Sequence, residues 1–173
     1  MELNLPKLIG HRGVKDLAPE NTIASINKAI DFNLEWVEID VKISKDRIPF
    51  LLHDDKLDRT TSGKGKPFNL KYENIKKLDA GQWFNKRYKN SYPPTLYEVL
   101  ELCFKKKIGI NIELKPNKRF KRENVLAIVK LIKKFKCKYY FSSFDWFSCI
   151  LIKKLLPSAN VGILINSFQE KDE

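Results

Sequence analysis

Two histidines, His11 and His53, are the chain's whole complement of imidazoles, and each ends an apolar run, "KLIGH" and "IPFLLHD". Imidazole exchanges protons near neutral pH, so two of them at strand ends form a candidate acid–base pair. Arg12 follows His11 directly, in "LIGHRGVKDLAPENT", where a strand gives way to a helix start. A guanidinium beside an imidazole at such a junction suits an anion. Carboxylates fall between the two histidines and after them. In "WVEIDVK", Val37, Ile39 and Val41 share one face of a strand, and Glu38 and Asp40 share the other. In "INIELK", Ile110, Ile112 and Leu114 share one face, with Asn111, Glu113 and Lys115 opposite. Parallel strands bury both faces, so these carboxylates stand where aliphatic side chains belong, and burying them without a cation is costly. Glu38, Asp40 and Glu113 offer oxygen ligands to Mg²⁺ or Ca²⁺. Structural ion pairing with Lys42 or Lys115 is the alternative.

These residues need elements to hold them. Apolar periodicity predicts strands at 7–11, 36–44, 48–54, 108–115, 138–144 and 161–165. It predicts a helix over 21–32, with Asn21 as N-cap and Ile23, Ile26 and Ile30 on one face. A second helix opens at the capping box Thr95–Glu98 and runs to about Lys106. A third spans 123–135, with Val125, Ile128, Val129 and Ile132 inward, and Asp145 caps a fourth that ends near Leu156. Strands alternating with helices make an α/β chain with a parallel sheet or barrel. His11, Glu38 with Asp40, His53 and Glu113 then fall on four successive strands, and the C-terminal ends of barrel strands form the active face. The segment 55–94, punctuated by Gly, Pro and aromatic residues, reads as an insertion.

The chain's 173 residues suit one domain, 1–173, and its 43% of hydrophobic residues argues against disorder. No apolar run approaches the roughly 18 residues of a membrane span, and the N-terminal "MELNLPKLIG" lacks the pattern of a signal peptide. Cys103, Cys137 and Cys149 are widely spaced, which fits buried thiols in a reducing, cytoplasmic setting. The net charge of +12 comes from 27 lysines and only 6 arginines. Without an arginine-rich stripe the excess reads as a solvated lysine surface with no nucleic-acid partner, though its field draws in small phosphate-bearing substrates.

The motifs "GHRG", "APENT", "EIDVKISKDRIPFLLHDDKLDRTTSGKG", "LDAGQWF", "PTLYEVL" and "NIELK" resemble the glycerophosphodiester phosphodiesterase family, with a weaker likeness through "SSFDW" and "GILI". The resemblance implies a (β/α)8 TIM-type barrel that cleaves glycerophosphodiesters to glycerol 3-phosphate and an alcohol. It further implies that Glu38, Asp40 and Glu113 hold a divalent metal, Mg²⁺ or Ca²⁺. His11 and His53 are then acid and base, in either order, and Arg12 and Lys115 contact the phosphate. Glu20 falls in the Pro-Glu-Asn-Thr motif, with a supporting or a helix-start role. Asp54 stands as a supporting residue. Trp83 and Phe84 either roof the site from the insertion or pack it.

Six strands against the family's eight predict an incomplete barrel, with open edges at 7–11 and 161–165 that favour self-association. Three functions compete on this reading. One is a metal-dependent glycerophosphodiesterase, and another is a non-catalytic remnant or phosphodiester-binding module. The third is a lysophospholipase-D-like enzyme at a membrane surface.

Overall fold

A computed structural model describes residues 5–166. Its first helix, α1 (Ile23–Asp31), is capped by Thr22, not by Asn21. Thr22 and Ser25 form a reciprocal capping box, each side chain meeting the other's backbone N–H. Asn21 takes a left-handed backbone (φ 55°), which frees its amide for another partner.

The following strands are β1 (Trp36–Ile43), β2 (Pro49–Leu51), β3 (Gly109–Leu114), β4 (Tyr139–Ser143) and β5 (Val161–Ile163). They form one sheet in the order β2-β1-β3-β4-β5, parallel except for the antiparallel β1–β2 pair. The helices α3 (Leu96–Lys106), α4 (Lys121–Ile132) and α5 (Trp146–Leu155) alternate with the parallel strands, and α2 (Tyr72–Ile75) is a single turn inside the insertion. Among the described residues no helix is long and apolar enough to cross a membrane.

Two of the six predicted strands come out differently. The segment 7–11 makes one bridge, Gly10 to Val37, through Gly10 N–H to Trp36 O and Glu38 N–H to Gly10 O. It goes no further because the chain turns at once, through Arg12 (φ 52°) and Gly13 (φ 82°). The run 48–54 is no parallel barrel strand. The turn at 44–48 closes a hairpin, and Leu51 lies against Val41. Among the described residues the sheet therefore has five strands, four of them parallel, and forms an incomplete barrel.

Alternation divides the sheet as the sequence predicts. One face carries Val37, Ile39 and Val41 of β1, Ile110, Ile112 and Leu114 of β3, and Phe141 of β4. Ile26 of α1, Leu100 of α3, Val125 and Ile128 of α4 and Ile152 of α5 cover it in one buried apolar core. The other face is built in registered rows. Trp36 lies opposite Gly109, Glu38 opposite Asn111 and Asp40 opposite Glu113, and on the far side of β3 Asn111 lies opposite Tyr140 and Glu113 opposite Ser142. A Cβ on Gly109 would sit 2.3 Å from the Trp36 ring. Glycine there lets the indole lie flat across β3 and reach Tyr140, 5.6 Å away between ring centres.

Candidate active site

The turn after Gly10 builds the first wall. Gly13 N–H donates to Glu38 O at 3.1 Å, and Ser25 Oγ packs so close that a Cβ on Gly13 would meet it at 2.4 Å. The position therefore needs glycine twice, for its φ and for its space. Arg12 is held in its left-handed conformation by Asn21 N–H and Ser25 Oγ–H, which both donate to its carbonyl. That conformation turns the Arg12 backbone N–H onto Glu38 Oε2 at 2.9 Å and brings Nε to 3.2 Å from Asp40 Oδ2. A non-glycine residue with this backbone is strained, and here the strain aims a guanidinium at the carboxylates.

Glu38, Asp40 and Glu113 converge as the strand pattern predicts. One oxygen from each lies within 4.8 Å of the others, and all three residues are buried. Asp40 Oδ2 accepts from Asn21 Nδ2 at 2.8 Å, while the Asp40 N–H donates to Asn21 Oδ1 at 3.1 Å. The residue expected to cap a helix is thus a clamp on a buried aspartate. Lys115 Nζ stands 3.6 Å from Asp40 Oδ1 and 2.6 Å from Glu113 Oε1, the latter off the direction a hydrogen bond requires. Glu38 Oε1, Asp40 Oδ1 and Glu113 Oε1 are therefore buried without hydrogen-bond partners. Burial, then the neighbouring Asp40 and Glu113, push the Glu38 carboxyl up to about 8. With all three carboxylates ionised, Arg12 and Lys115 would leave one negative charge uncompensated. An all-oxygen set of this kind fits a hard divalent cation. Lys42, the other candidate ion-pair partner, turns to Asp55 at 3.0 Å.

The histidines flank this cluster in different ways. His11 is half exposed, with Nε2 3.8 Å from Glu38 Oε2, and burial followed by Arg12 and Lys15 lowers its pKa. His53 does not arrive at the end of a parallel strand. It follows the antiparallel β2, just after the bond from Leu52 N–H to Asp40 O. Its Nδ1 meets Asp54 Oδ1 at 2.7 Å. Arg59, to which the sequence reading gave no role, joins Asp54 to Glu20, and Glu20 in turn accepts from Arg12 Nη1 at 2.9 Å. Arg59, then His53, hold Asp54 well below the usual carboxylate range. Burial raises Glu20, but Arg59 and Arg12 outweigh it and keep its pKa low. Glu20 thus supports Arg12 and takes no part in starting the helix. A cleft of about 550 Å³ opens beside the cluster, lined among others by His53, Glu113, Lys115, Lys118 and Phe144. Trp83 donates to Ala80 O and packs edge-on against Phe84, which meets Tyr88 in the same way.

Residues 11–173 match the glycerophosphoryl diester phosphodiesterase family. The chain belongs to that family. It is 37% identical over 159 residues to a glycerophosphodiester phosphodiesterase of Caldanaerobacter subterraneus, covering 91% of this chain and 65% of that protein. Its fold superposes with a TM-score of 0.93, at 38% identity, on an Oleispira antarctica phosphodiesterase solved with the product sn-glycerol 3-phosphate, covering 96% of this chain and 69% of the other. A glycerophosphodiester phosphodiesterase from Agrobacterium tumefaciens gives 0.82 at 30% identity, covering 91% and 66%. This member of the glycerophosphoryl diester phosphodiesterase family thus spans about two thirds of the length of these relatives. The helices cover the apolar face, so the carboxylate-bearing face is the one that a TIM-type barrel turns inward.

Proposed function

We propose that the chain hydrolyses glycerophosphodiesters, releasing glycerol 3-phosphate and an alcohol. The observation that carries this reading is the trio of buried, unpartnered carboxylate oxygens beside the His11 imidazole and a guanidinium, at a cleft that His53 also lines. The product bound by the Oleispira relative supports the substrate class. Glu38, Asp40 and Glu113 would hold a divalent ion, Mg²⁺ or Ca²⁺. Such an ion, when bound, supplies positive charge against the phosphoryl oxygens.

The chain's own groups do the rest. Arg12 and Lys115 bind the diester anion and offset the charge that grows on its oxygens as the phosphorus is attacked. Both are already fixed by carboxylates, so little reorganisation accompanies the reaction. Asp54 fixes His53 through Nδ1, which leaves Nε2 to exchange a proton with the substrate. His11, at the other side of the cluster, carries the second proton. One imidazole takes the proton of the attacking hydroxyl, and the other protonates the departing alkoxide. The cleft is large enough for a small diester.

The test is glycerol 3-phosphate release from glycerophosphocholine by the purified chain, after chelation and after return of Mg²⁺ or Ca²⁺. Release that depends on the added ion is the expected result. Tight binding of the diester without release under any ion would instead identify a binding module.

A further inference from the structure

Arg59 lies in the 55–94 insertion, yet it makes four hydrogen bonds at the barrel mouth. Nη1 donates to Glu20 Oε2 at 2.9 Å and Nη2 to Glu20 Oε1 at 2.7 Å. Nε donates to Asp54 Oδ2 at 2.7 Å and Nη2 to Asp54 Oδ1 at 2.9 Å. Each carboxylate is gripped on both oxygens by a pair of N–H groups, a geometry that a planar guanidinium offers and an ammonium does not. Each carboxylate then reaches one further group. Glu20 Oε1 accepts from Arg12 Nη1 at 2.9 Å, and Asp54 Oδ1 meets His53 Nδ1 at 2.7 Å. Charges alternate along the line from Asp40 through Arg12, Glu20 and Arg59 to Asp54, which ends on the His53 imidazole.

Resting on the phosphodiesterase reading above, we infer that Arg59 is a positioning residue that fixes the phosphate-facing Arg12 and the proton-carrying His53 relative to each other. The insertion contributes to the reaction by delivering this one guanidinium. Without it, Glu20 and Asp54 would lose their shared cation. Asp54 would then be free to rotate away from Nδ1, and the Glu20 carboxylate that sets the outer nitrogen of Arg12 would lose its second anchor.

A purely structural staple is the competing role, and the insertion's other anchors argue against it. Leu57 and Ile75 are fully buried with Phe50 and Leu52 in a small core of their own. Leu51 N–H donates to Pro94 O, and Tyr88 Oη donates to Leu17 O. The Arg59 side chain, by contrast, is 44% exposed. The insertion therefore has fixings that do not depend on it.

Arg59→Ala, Arg59→Lys and Asp54→Asn in the full chain separate the two roles. With only two histidines present, ¹⁵N-labelled imidazole signals are assignable. In the parent chain the neutral His53 imidazole is expected as one tautomer, with the proton on Nδ1. Both Arg59 variants and Asp54→Asn should shift His53 to mixed tautomers while melting stays close to that of the parent. Turnover of Arg59→Ala should fall on the order of 10²-fold, the scale of a misplaced reacting group. Arg59→Lys should stay low, because charge alone does not restore the fork. Added guanidinium should recover part of the Arg59→Ala turnover, and ammonium at the same ionic strength should not. An unchanged His53 tautomer in Arg59→Ala overturns the proposal. So does a drop in melting temperature with normal turnover per folded molecule. If the parent chain releases no glycerol 3-phosphate, the functional reading fails, and the tautomer measurement still decides the role of Arg59.

Discussion

The two faces of β1 and β3 are made by alternate residues of the same strands and serve opposite ends. Outward, Ile39 packs beside Ile112, and Ile112 beside Phe141, all fully buried under helices. Inward, the adjacent row sets Asp40 beside Glu113 and Ser142. The outer face gains free energy by removing apolar surface from water. The inner face pays desolvation for carboxylates whose oxygens have no hydrogen-bond partner. Like charges at neighbouring positions are unfavourable in an ordinary sheet, and here Arg12 and Lys115 stand against them. Stability and chemistry are thus separated by a single residue step along each strand, and substitutions on one face should leave the function of the other in place.

The largest effects should come from the mouth of the inner face. His11→Ala and His53→Ala are each expected to lower kcat on the order of 10²–10⁴-fold, with thermal melting little changed, because both side chains are partly exposed. Near-full activity in either variant would remove that residue from the proton transfers.

Ile112→Ala tests the opposite face. The side chain is fully buried at the centre of the outer core, so its truncation should cost about 2–5 kcal/mol in urea or thermal unfolding. Turnover per folded molecule should hold, since Glu113 keeps its register with Asp40. Loss of turnover in fully folded Ile112→Ala would show that the two faces are mechanically coupled.

Glu113→Gln sharpens the inner-face reading. It removes one charge from the cluster and preserves its shape. Calorimetric affinity for Mg²⁺ or Ca²⁺ should weaken by roughly tenfold or more, equivalent to about 1.4 kcal/mol. In the metal-free protein the relieved repulsion with Glu38 and Asp40 is set against the lost pairing with Lys115, so melting should change little. Unchanged affinity would strike Glu113 from the ligand set.

The separation of faces was legible in the sequence because strand periodicity is local. "EIDVK" and "INIELK" place their carboxylates by alternation alone, and the register then lines Asp40 up with Glu113. Alternation carries no strand direction, and so the run 48–54 was expected to join a parallel barrel. The deciding signal was nevertheless present. The connection from Ile43 to Pro49 is far too short for a parallel crossover, which takes a dozen or more residues. Asn21 and Arg59 were harder to read. Their partners Asp40, 19 residues away, and Glu20, 39 residues away, are brought near only by the fold. Asn21 sits where an N-cap belongs, and one residue of offset passes that task to Thr22.

The smallest effect expected is at the start of α3, whose Leu96, Val99 and Leu100 help cover the outer face. Thr95 and Glu98 form the capping box that the sequence predicts, with Glu98 Oε2 accepting from Thr95 N–H at 2.8 Å and from Thr95 Oγ1 at 2.7 Å. Burial pushes the Glu98 carboxyl up, but these bonds and one from Tyr92 Oη outweigh it, and its folded pKa lies below the ordinary value. A carboxylate depressed in this way contributes stability above its unfolded pKa, and the contribution is lost as pH falls through the folded one. Thr95→Ala should therefore cost roughly 1 kcal/mol at neutral pH, and the difference from the parent should shrink in acid as Glu98 becomes protonated in both proteins. The metal affinity of the inner face should not move. A Thr95→Ala penalty that is the same at pH 3 and pH 7 would mean that Glu98 contributes to the cap by shape alone.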